Sequence, residues 1–338
     1  MYFKSLQTFR GIFALMIFFH HFNFRQPNGG GMFSVGGDFG VAFFFILSGF
    51  VLSQSFHQKE PLSLRRTTIL NFILKRISKI YPLHVLCFFI ANYLQLPSSI
   101  IDWSNLFLLQ SWVPIKKWYF SGNAVGWCLS DFLFFYALFP YVSYLYVKYK
   151  QKFIKWFCAL VCIYILIIPL IPTKLEDGLI YINPLSRSLD FIFGIVISWI
   201  YNQIKGISNF ISLIDVLTVS ALSIAIWYIY PSKYNLSLLW WPSVALILLY
   251  SVTTYNRFLS FRPFVKFGDV SFSFYLIHVL AKKGFDIVLK DLGLTFIDPH
   301  IRLIIILTLT IFAAFIVHKY YVLPIEKYIR KHLKTHKY

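Results

Sequence analysis

The chain has 338 residues, of which 58% are hydrophobic and only 13% charged, and Phe, Trp and Tyr together make up 20%. A soluble domain contains about 25% charged residues, so this composition excludes an ordinary soluble enzyme and predicts a protein embedded in a lipid bilayer. The net charge of +19 would indicate nucleic-acid binding in a soluble protein, but here the distribution of the charge matters more than its sum.

Ten apolar segments are long enough to cross the membrane, for which a helix needs about 20 residues. In chain order they are 6–24, 38–56, 72–95, 125–148, 153–171, 184–204, 210–230, 236–254, 270–291 and 299–323. A shorter apolar segment at 100–113 is predicted to be interfacial or re-entrant, and the basic residues after 324 to lie on the inner leaflet. The sequence therefore predicts one all-α membrane domain over 1–338, a polytopic protein with about ten transmembrane helices.

The basic residues predict the orientation of these helices. With ten spans both termini share a side, and Lys and Arg are about three times as frequent in the loops on that side as on the other. The positive-inside rule then places both termini in the cytoplasm. This asymmetry accounts for the net charge, so no nucleic-acid partner is expected. The four cysteines lie in apolar segments without zinc-site spacing, which predicts packing roles and no metal.

The first predicted span carries ionisable residues, which are costly in hydrocarbon. Its sequence from Thr8 to Phe24 is TFRGIFALMIFFHHFNF. Eleven helical steps place Arg10 and His21 about 20° from aligned, on one face, and about 16 Å apart along the axis. This arrangement suits a long ligand whose charged head is held at the cytoplasmic side and whose reactive end reaches an imidazole.

The segment RGIFALMIFFHHF resembles the first-helix signature of the acyltransferase-3 family of integral membrane acyltransferases. Five further segments resemble signatures of this family, in order and along nearly the whole chain. They are FGVAFFFILSGFVLS (Phe39 to Ser53), RISKIYPLH (Arg76 to His84), WCLSDFLFFYALFP (Trp127 to Pro140), NPLSRSLDFIFG (Asn183 to Gly194) and SFSFYLIH (Ser271 to His278).

The chain departs from the family pattern at four positions. Lys79 replaces the second arginine of the third-helix motif, which keeps the charge but loses bidentate contact with phosphate. Phe132 occupies the place of an acidic residue, and Asp131 lies one position before it. Ala42 replaces another acidic residue, and Asp190 stands where glutamate is common.

The resemblance implies transfer of an acyl group, usually acetyl, from cytoplasmic acetyl-CoA to a carbohydrate hydroxyl. The expected acceptor is a surface polysaccharide, a lipopolysaccharide or a lipid-linked precursor, and the expected location is the bacterial inner membrane. The family's catalytic base corresponds to His21, and a neutral imidazole can remove the proton of an attacking hydroxyl. The alternative for His21 is a histidine hydrogen-bonded between helices.

Three basic residues are candidates for binding the phosphates of acetyl-CoA: Arg10, Arg76 and Lys79. They lie at the predicted inner ends of the first and third helices. The alternative is that they only express the positive-inside bias.

The remaining candidates are expected to bind the acceptor or to line the acyl channel. Asp38, Asp131, Arg187 and Asp190 lie in the predicted outer half of the membrane, where charges pair or line a wet cavity. Arg187 and Asp190 are three residues apart and could simply pair with each other. The resemblance implies that Tyr275 and His278 line the acyl channel, and the alternative is a packed hydrogen-bonding pair.

Two other functions remain open from the sequence. A transporter or flippase for a glycan precursor would explain polar residues in the outer half, but not the register of Arg10 with His21. An inactive relative of the acyltransferases would explain the displacement of Asp131 from the family's acidic position.

Overall fold

A computed structural model of the chain describes residues 2–22, 35–57, 66–94, 102–204, 206–207, 211–229, 237–294 and 297–335. These residues form helices and short connections, and none of them lies in a β-strand. The prediction of an all-α fold is confirmed for this part of the chain. Residues 23–24 of the first predicted span, residue 95 of the third, residues 210 and 230 of the seventh, residue 236 of the eighth and residues 100–101 of the shorter segment lie outside it.

Fourteen α-helices occur among the described residues. They are α1 Lys4–His21, α2 Val35–His57, α3 Arg66–Tyr93, α4 Asp102–Leu106, α5 Lys116–Tyr119, α6 Trp127–Tyr149, α7 Gln151–Ile167, α8 Pro184–Ile204, α9 Leu213–Ile229, α10 Trp241–Thr253, α11 Arg262–Asp269, α12 Ser271–Asp291, α13 Pro299–Val317 and α14 Leu323–Thr335. Each of the ten predicted spans overlaps one of the longer helices. The 100–113 segment contains α4 and a single 3₁₀ turn at Gln110–Trp112, consistent with a segment that does not cross.

Five helical segments of the described chain are long and apolar enough to span a membrane: Val35–Phe56, Ala124–Tyr149, Gln151–Leu170, Thr173–Ile204 and Pro299–His332. The pair α11 and α12, bent by 68°, would be a sixth. Two further apolar helices, Leu213–Ile229 and Ser237–Thr253, are shorter. The chain is thus a multi-pass membrane protein, while the count of ten spans and the cytoplasmic termini remain predictions.

Glycines allow helices α2 and α8 to pack with their backbones in contact. A Cβ atom added to Gly49 would overlap the carbonyl oxygen of Phe191, and one added to Gly194 would overlap the carbonyl oxygen of Ile46. Small residues at such contacts are typical of helix pairs in membranes, because close approach maximises van der Waals contact. Both glycines belong to motifs described above, one in SGF and the other in FIFG.

Helix α1 runs through the centre of the bundle, where it contacts α2, α10, α11 and α12. Near its start, Gly268 of α11 lies against the Gln7 backbone, and near its end Gly36 of α2 lies against Met16. Arg10 therefore lies in the part of α1 that α11 covers, and His21 ends the part that α2 and α12 cover. This packing fixes the first-helix residues relative to the rest of the chain.

The cysteines behave in two ways. Cys87 and Cys128 are buried, as their predicted packing role requires. Cys158 and Cys162 are exposed on α7, so they do not pack inside the bundle. Their position on an outward-facing helix is compatible with contact to lipid. No group of three His, Cys, Asp or Glu residues in the described ranges is arranged to hold a metal ion.

Candidate functional site

A cavity of about 340 Å³ lies between α1, α2, α3, α6 and α12 and the start of α14. The charged residues of its lining lie near one another, at what we call the polar end of the cavity, and the apolar Phe3, Leu6, Ile80 and Val322 line the cavity as well. The polar lining consists of Gln7, Arg10, Ser48, Gln54, Ser55, Arg76, Lys79, Tyr136, Asp269, Ser271, His318 and Glu326. The apolar lining includes Ile17, Val41, Phe45 and Leu129, with Cys128 and Tyr275 beside them.

The three candidate phosphate-binding residues all line this cavity. Arg10 donates a hydrogen bond to Gln7 Oε1 at 3.0 Å, and the Arg76 guanidinium lies 5.3 Å from the centre of the Phe72 ring. The Nε atoms of Arg10 and Arg76 are buried without a hydrogen-bond partner among the described residues. A buried donor without a partner is costly, so these two groups favour an anionic ligand in the cavity.

Two carboxylates that the sequence analysis did not select also line the polar end. Glu326 of α14 lies 3.9 Å from Lys79 Nζ and 2.5 Å from Arg330. Asp269, the last residue of α11, accepts a hydrogen bond of 3.0 Å from the Tyr2 hydroxyl. Nothing in the local sequence marks Glu326 as part of a site, because α14 reads as a basic amphipathic tail. Only the folding of the tail onto α3 reveals it.

The imidazole of His21 lies against a second imidazole, that of His278 on α12. His278 Nε2 and His21 Nδ1 are 3.2 Å apart, and the ring centroids are 4.9 Å apart. His278 is 1% exposed, whereas His21 is exposed. The structure therefore brings together two histidines that the sequence analysis assigned to different roles.

The cavity ends close to this histidine pair. Ile17 and Tyr275 line it, and each lies one turn or less before a histidine: the Ile17 carbonyl is 2.9 Å from His21 Nδ1, and the Tyr275 carbonyl is 2.5 Å from His278 Nδ1. Neither histidine is among the described lining residues. The Tyr275 hydroxyl donates to the Val125 carbonyl at 2.8 Å, which ties α12 to the turn before α6.

A second group of polar residues is buried between α6, α8 and α10. Arg187 Nη2 lies 3.0 Å from Asp190 Oδ2, and both side chains are almost fully buried, which is the pairing considered in the sequence analysis. The Trp241 indole donates to Asp190 Oδ1 at 2.6 Å. The Arg187 guanidinium also lies 5.0 Å from the centre of the Phe45 ring, whose residue lines the cavity.

Asp131, unlike Asp190, forms no hydrogen bond of good geometry within the described chain, although the Ser111 side chain lies close to it. It is fully buried on α6, and neither of its carboxylate oxygens is hydrogen-bonded within the described chain. Gln110, in the 3₁₀ turn at Gln110–Trp112, is also fully buried. Its amide oxygen and nitrogen likewise have no hydrogen-bond partner within the described chain. Burying polar groups in this way costs about 1–3 kcal/mol for each unmade hydrogen bond. In a membrane protein, a buried ionisable side chain such as Asp131 marks a candidate functional site.

Asp38 is in the first turn of α2, near the C-terminal end of α1. Its carboxylate accepts a hydrogen bond of 3.3 Å from the indole of Trp227 on α9. Its neighbour Gly37 faces the ring of His20, because a Cβ atom there would come within 2.9 Å of that ring. Asp38 and the two adjacent histidines therefore lie at one level of the fold.

Trp240 and Trp241, adjacent in the segment LLWWP at 238–242, pack against other aromatic side chains. Trp240 is 1% exposed and stacks on Phe39 at 4.6 Å, and Trp241 stacks on Phe193 at 4.2 Å. These contacts stabilise α10 against its neighbours.

Comparison with known proteins gives two matches. The model of the acyltransferase-3 family, described as an acyltransferase domain, matches residues 3–319. The acyltransferase MdmB of Streptomyces mycarofaciens is 26% identical over 273 residues, which cover 72% of this chain and 68% of that protein. No solved structure is significantly similar to the chain. The region matched by the family model contains every candidate residue that the sequence analysis named, whereas Glu326 lies beyond it.

Proposed function

Because the chain belongs to the acyltransferase-3 family of membrane proteins, we propose that it is an O-acetyltransferase that moves an acetyl group from cytoplasmic acetyl-CoA to a carbohydrate hydroxyl. The observation that carries this proposal is the cavity. It has Arg10, Arg76 and Lys79 at its polar end and Ile17 and Tyr275, within one turn of the histidine pair, at its apolar end. A long donor with a phosphate head and an apolar thioester end fits this gradient.

The polar end of the cavity suits the phosphates of acetyl-CoA. Its three cations face two carboxylates, Asp269 and Glu326, so one positive charge remains for an anion before the α14 basic residues are counted. Arg10 and Arg76 each have a buried Nε donor without a hydrogen-bond partner in the described chain, which phosphate oxygens would satisfy. Charge-assisted hydrogen bonds of this kind are about twice as strong as neutral ones.

At the other end, His21 acts as the general base. Its ring removes the proton of the acceptor hydroxyl as that oxygen attacks the thioester carbonyl. The carbon–sulfur bond of the thioester then breaks, and the imidazolium returns the proton to the leaving thiolate. The products are an acetyl ester and free CoA, and no acyl-enzyme or metal is required.

The acceptor approaches from the level of Asp38, Asp131, Arg187 and Asp190. A sugar offers many hydroxyl groups, which donate to carboxylates and accept from guanidinium. The unpartnered oxygens of Asp131 supply two acceptors for such hydroxyls. Tyr275 lines the apolar end of the cavity, where it forms part of the wall of the acyl channel. The carbohydrate belongs to a surface polysaccharide, a lipopolysaccharide or their lipid-linked precursor, and the protein resides in a bacterial inner membrane.

The proposal is tested in cells that lack the gene, complemented with the wild type, with His21→Ala or with His84→Ala. His84 is a matched control because it is a fully buried histidine on α3, hydrogen-bonded to the Asn105 carbonyl at 2.9 Å and outside the cavity lining. Mass spectrometry of surface glycans should show an added acetyl mass with the wild type and with His84→Ala, and none with His21→Ala.

Retention of the acetyl mass with His21→Ala at normal protein level would remove His21 as the base. If no strain shows the acetyl mass, and glycan reaches the surface only when the gene is present, the protein is a transporter and not an acetyltransferase. Acetyl-CoA consumption by purified protein, measured with glycan extracted from the deletion strain, separates these results.

A further inference from the structure

The tautomers of the two adjacent imidazoles follow from the groups around them. A backbone carbonyl can only accept a hydrogen bond, so a ring nitrogen beside it must carry the proton. The Tyr275 carbonyl is 2.5 Å from His278 Nδ1, which makes this atom the donor. The Ile17 carbonyl is 2.9 Å from His21 Nδ1, which makes that atom a donor as well.

The contact between the rings then has one direction. With its proton on Nδ1, a neutral His278 has a lone pair on Nε2, and that atom is 3.2 Å from His21 Nδ1. His21 Nδ1–H is therefore shared between the Ile17 carbonyl and His278 Nε2. The other ring nitrogen of His21, Nε2, is left without a proton and is free to act as a base.

We propose that His278 is a positioning residue that fixes the orientation of His21 and, together with the Ile17 carbonyl, its tautomer, so that Nε2 of His21 faces the acceptor hydroxyl. This inference rests on the proposed function, since it gives the base a partner. The resemblance alone implied that His278 lines the acyl channel, and this proposal gives the residue a different role. When His21 takes up a proton on Nε2, its Nδ1–H bond to His278 strengthens because the donor becomes cationic.

The surroundings of His278 make it rigid. Its ring centroid is 6.3 Å from that of Phe274, in a stacked arrangement, and 6.1 Å from that of Phe18. It is almost fully buried, and its Nδ1–H is held by its own helix. A rigid acceptor beside Nδ1 restricts an otherwise exposed His21 ring to one rotamer, which is the requirement for a base that must meet a hydroxyl at hydrogen-bond distance.

Two substitutions separate positioning from packing. His278→Gln retains an acceptor near the place of Nε2, whereas His278→Phe keeps the ring volume and removes the acceptor. Purified full-length variants are assayed with acetyl-CoA and glycan extracted from the deletion strain. We expect His278→Phe to lower kcat about tenfold or more, the equivalent of one lost hydrogen bond, with KM for acetyl-CoA unchanged. His278→Gln should stay within about threefold of the wild type.

The matched control pair is His84→Phe and His84→Gln, which perturbs a buried histidine that does not line the cavity. Thermal melting in detergent shows which variants are folded, and kcat is compared among those. Wild-type kcat in folded His278→Phe would overturn the inference, as would an equal loss in His278→Gln and His278→Phe. His21→Ala is assayed in parallel: if it too retains kcat, the general-base proposal has failed, and if it alone is inactive, only the positioning role has failed.

Discussion

The contact between α2 and α8 makes a strong prediction, because a single methyl group cannot be accommodated there. In Gly49→Ala the new Cβ atom would overlap the Phe191 carbonyl oxygen, which is backbone and cannot rotate away. The two helices must therefore separate or shift. Gly194→Ala should have the same effect from the other side, since its Cβ atom would overlap the Ile46 carbonyl oxygen.

The magnitude follows from the contacts that separation loses. Overpacking a well-packed interior costs about 1–3 kcal/mol, and a gap of about 0.5–1 Å already forfeits a quarter to a half of the dispersion energy of the atoms facing it. Helices α2 and α8 share the most extensive contact in the described fold. We therefore expect each substitution to lower the free energy of unfolding by about 3 kcal/mol, the upper end of the overpacking range, and to lower the melting temperature by about 5 °C or more.

The assay is thermal unfolding of the purified protein in detergent, with Gly284→Ala as the control. Gly284 lies within α12, and a Cβ atom there meets nothing within 4 Å. Alanine is a better helix former than glycine by about 0.8–1 kcal/mol, so this variant should melt at the wild-type temperature or above it. An unchanged melting temperature in both Gly49→Ala and Gly194→Ala would refute the close backbone contact.

Two further predictions concern the sites. Arg10→Gln should raise KM for acetyl-CoA about tenfold or more, because it removes a charge-assisted contact to phosphate, and leave KM for the glycan unchanged. The exposed Lys155→Gln on α7 should change neither constant, and an equal effect of both variants would mean that only overall charge matters. Asp131→Asn should raise KM for the glycan while the melting temperature stays the same or rises, since a buried neutral amide costs less than a carboxylate. A lower melting temperature with normal KM would make Asp131 a structural residue.

The fold class was predictable because a bilayer imposes a strong constraint on sequence. Backbone groups in hydrocarbon must be satisfied within the segment, so each long apolar segment had to be helical, and each predicted span does overlap a helix. Helix boundaries were less accurate: α3 begins at Arg66, six residues before the predicted start of its span. Polar helix ends extend beyond the hydrocarbon, and hydropathy alone does not mark where they stop.

The candidate site was predictable only along single helices. Helical geometry places Arg10 and His21 on one face of α1. It also predicts an ion pair between Arg187 and Asp190, which are three residues apart, and the structure contains that pair. Contacts between distant segments follow no such rule. His278 meets His21 across 257 positions of sequence, and Glu326 reaches Lys79 from the tail. The same limit applies to the proposed chemistry: α1 carries both His21 and the Ile17 carbonyl that lies 2.9 Å from its Nδ1, but the second acceptor, His278 Nε2, belongs to α12 and meets His21 only in the packed bundle.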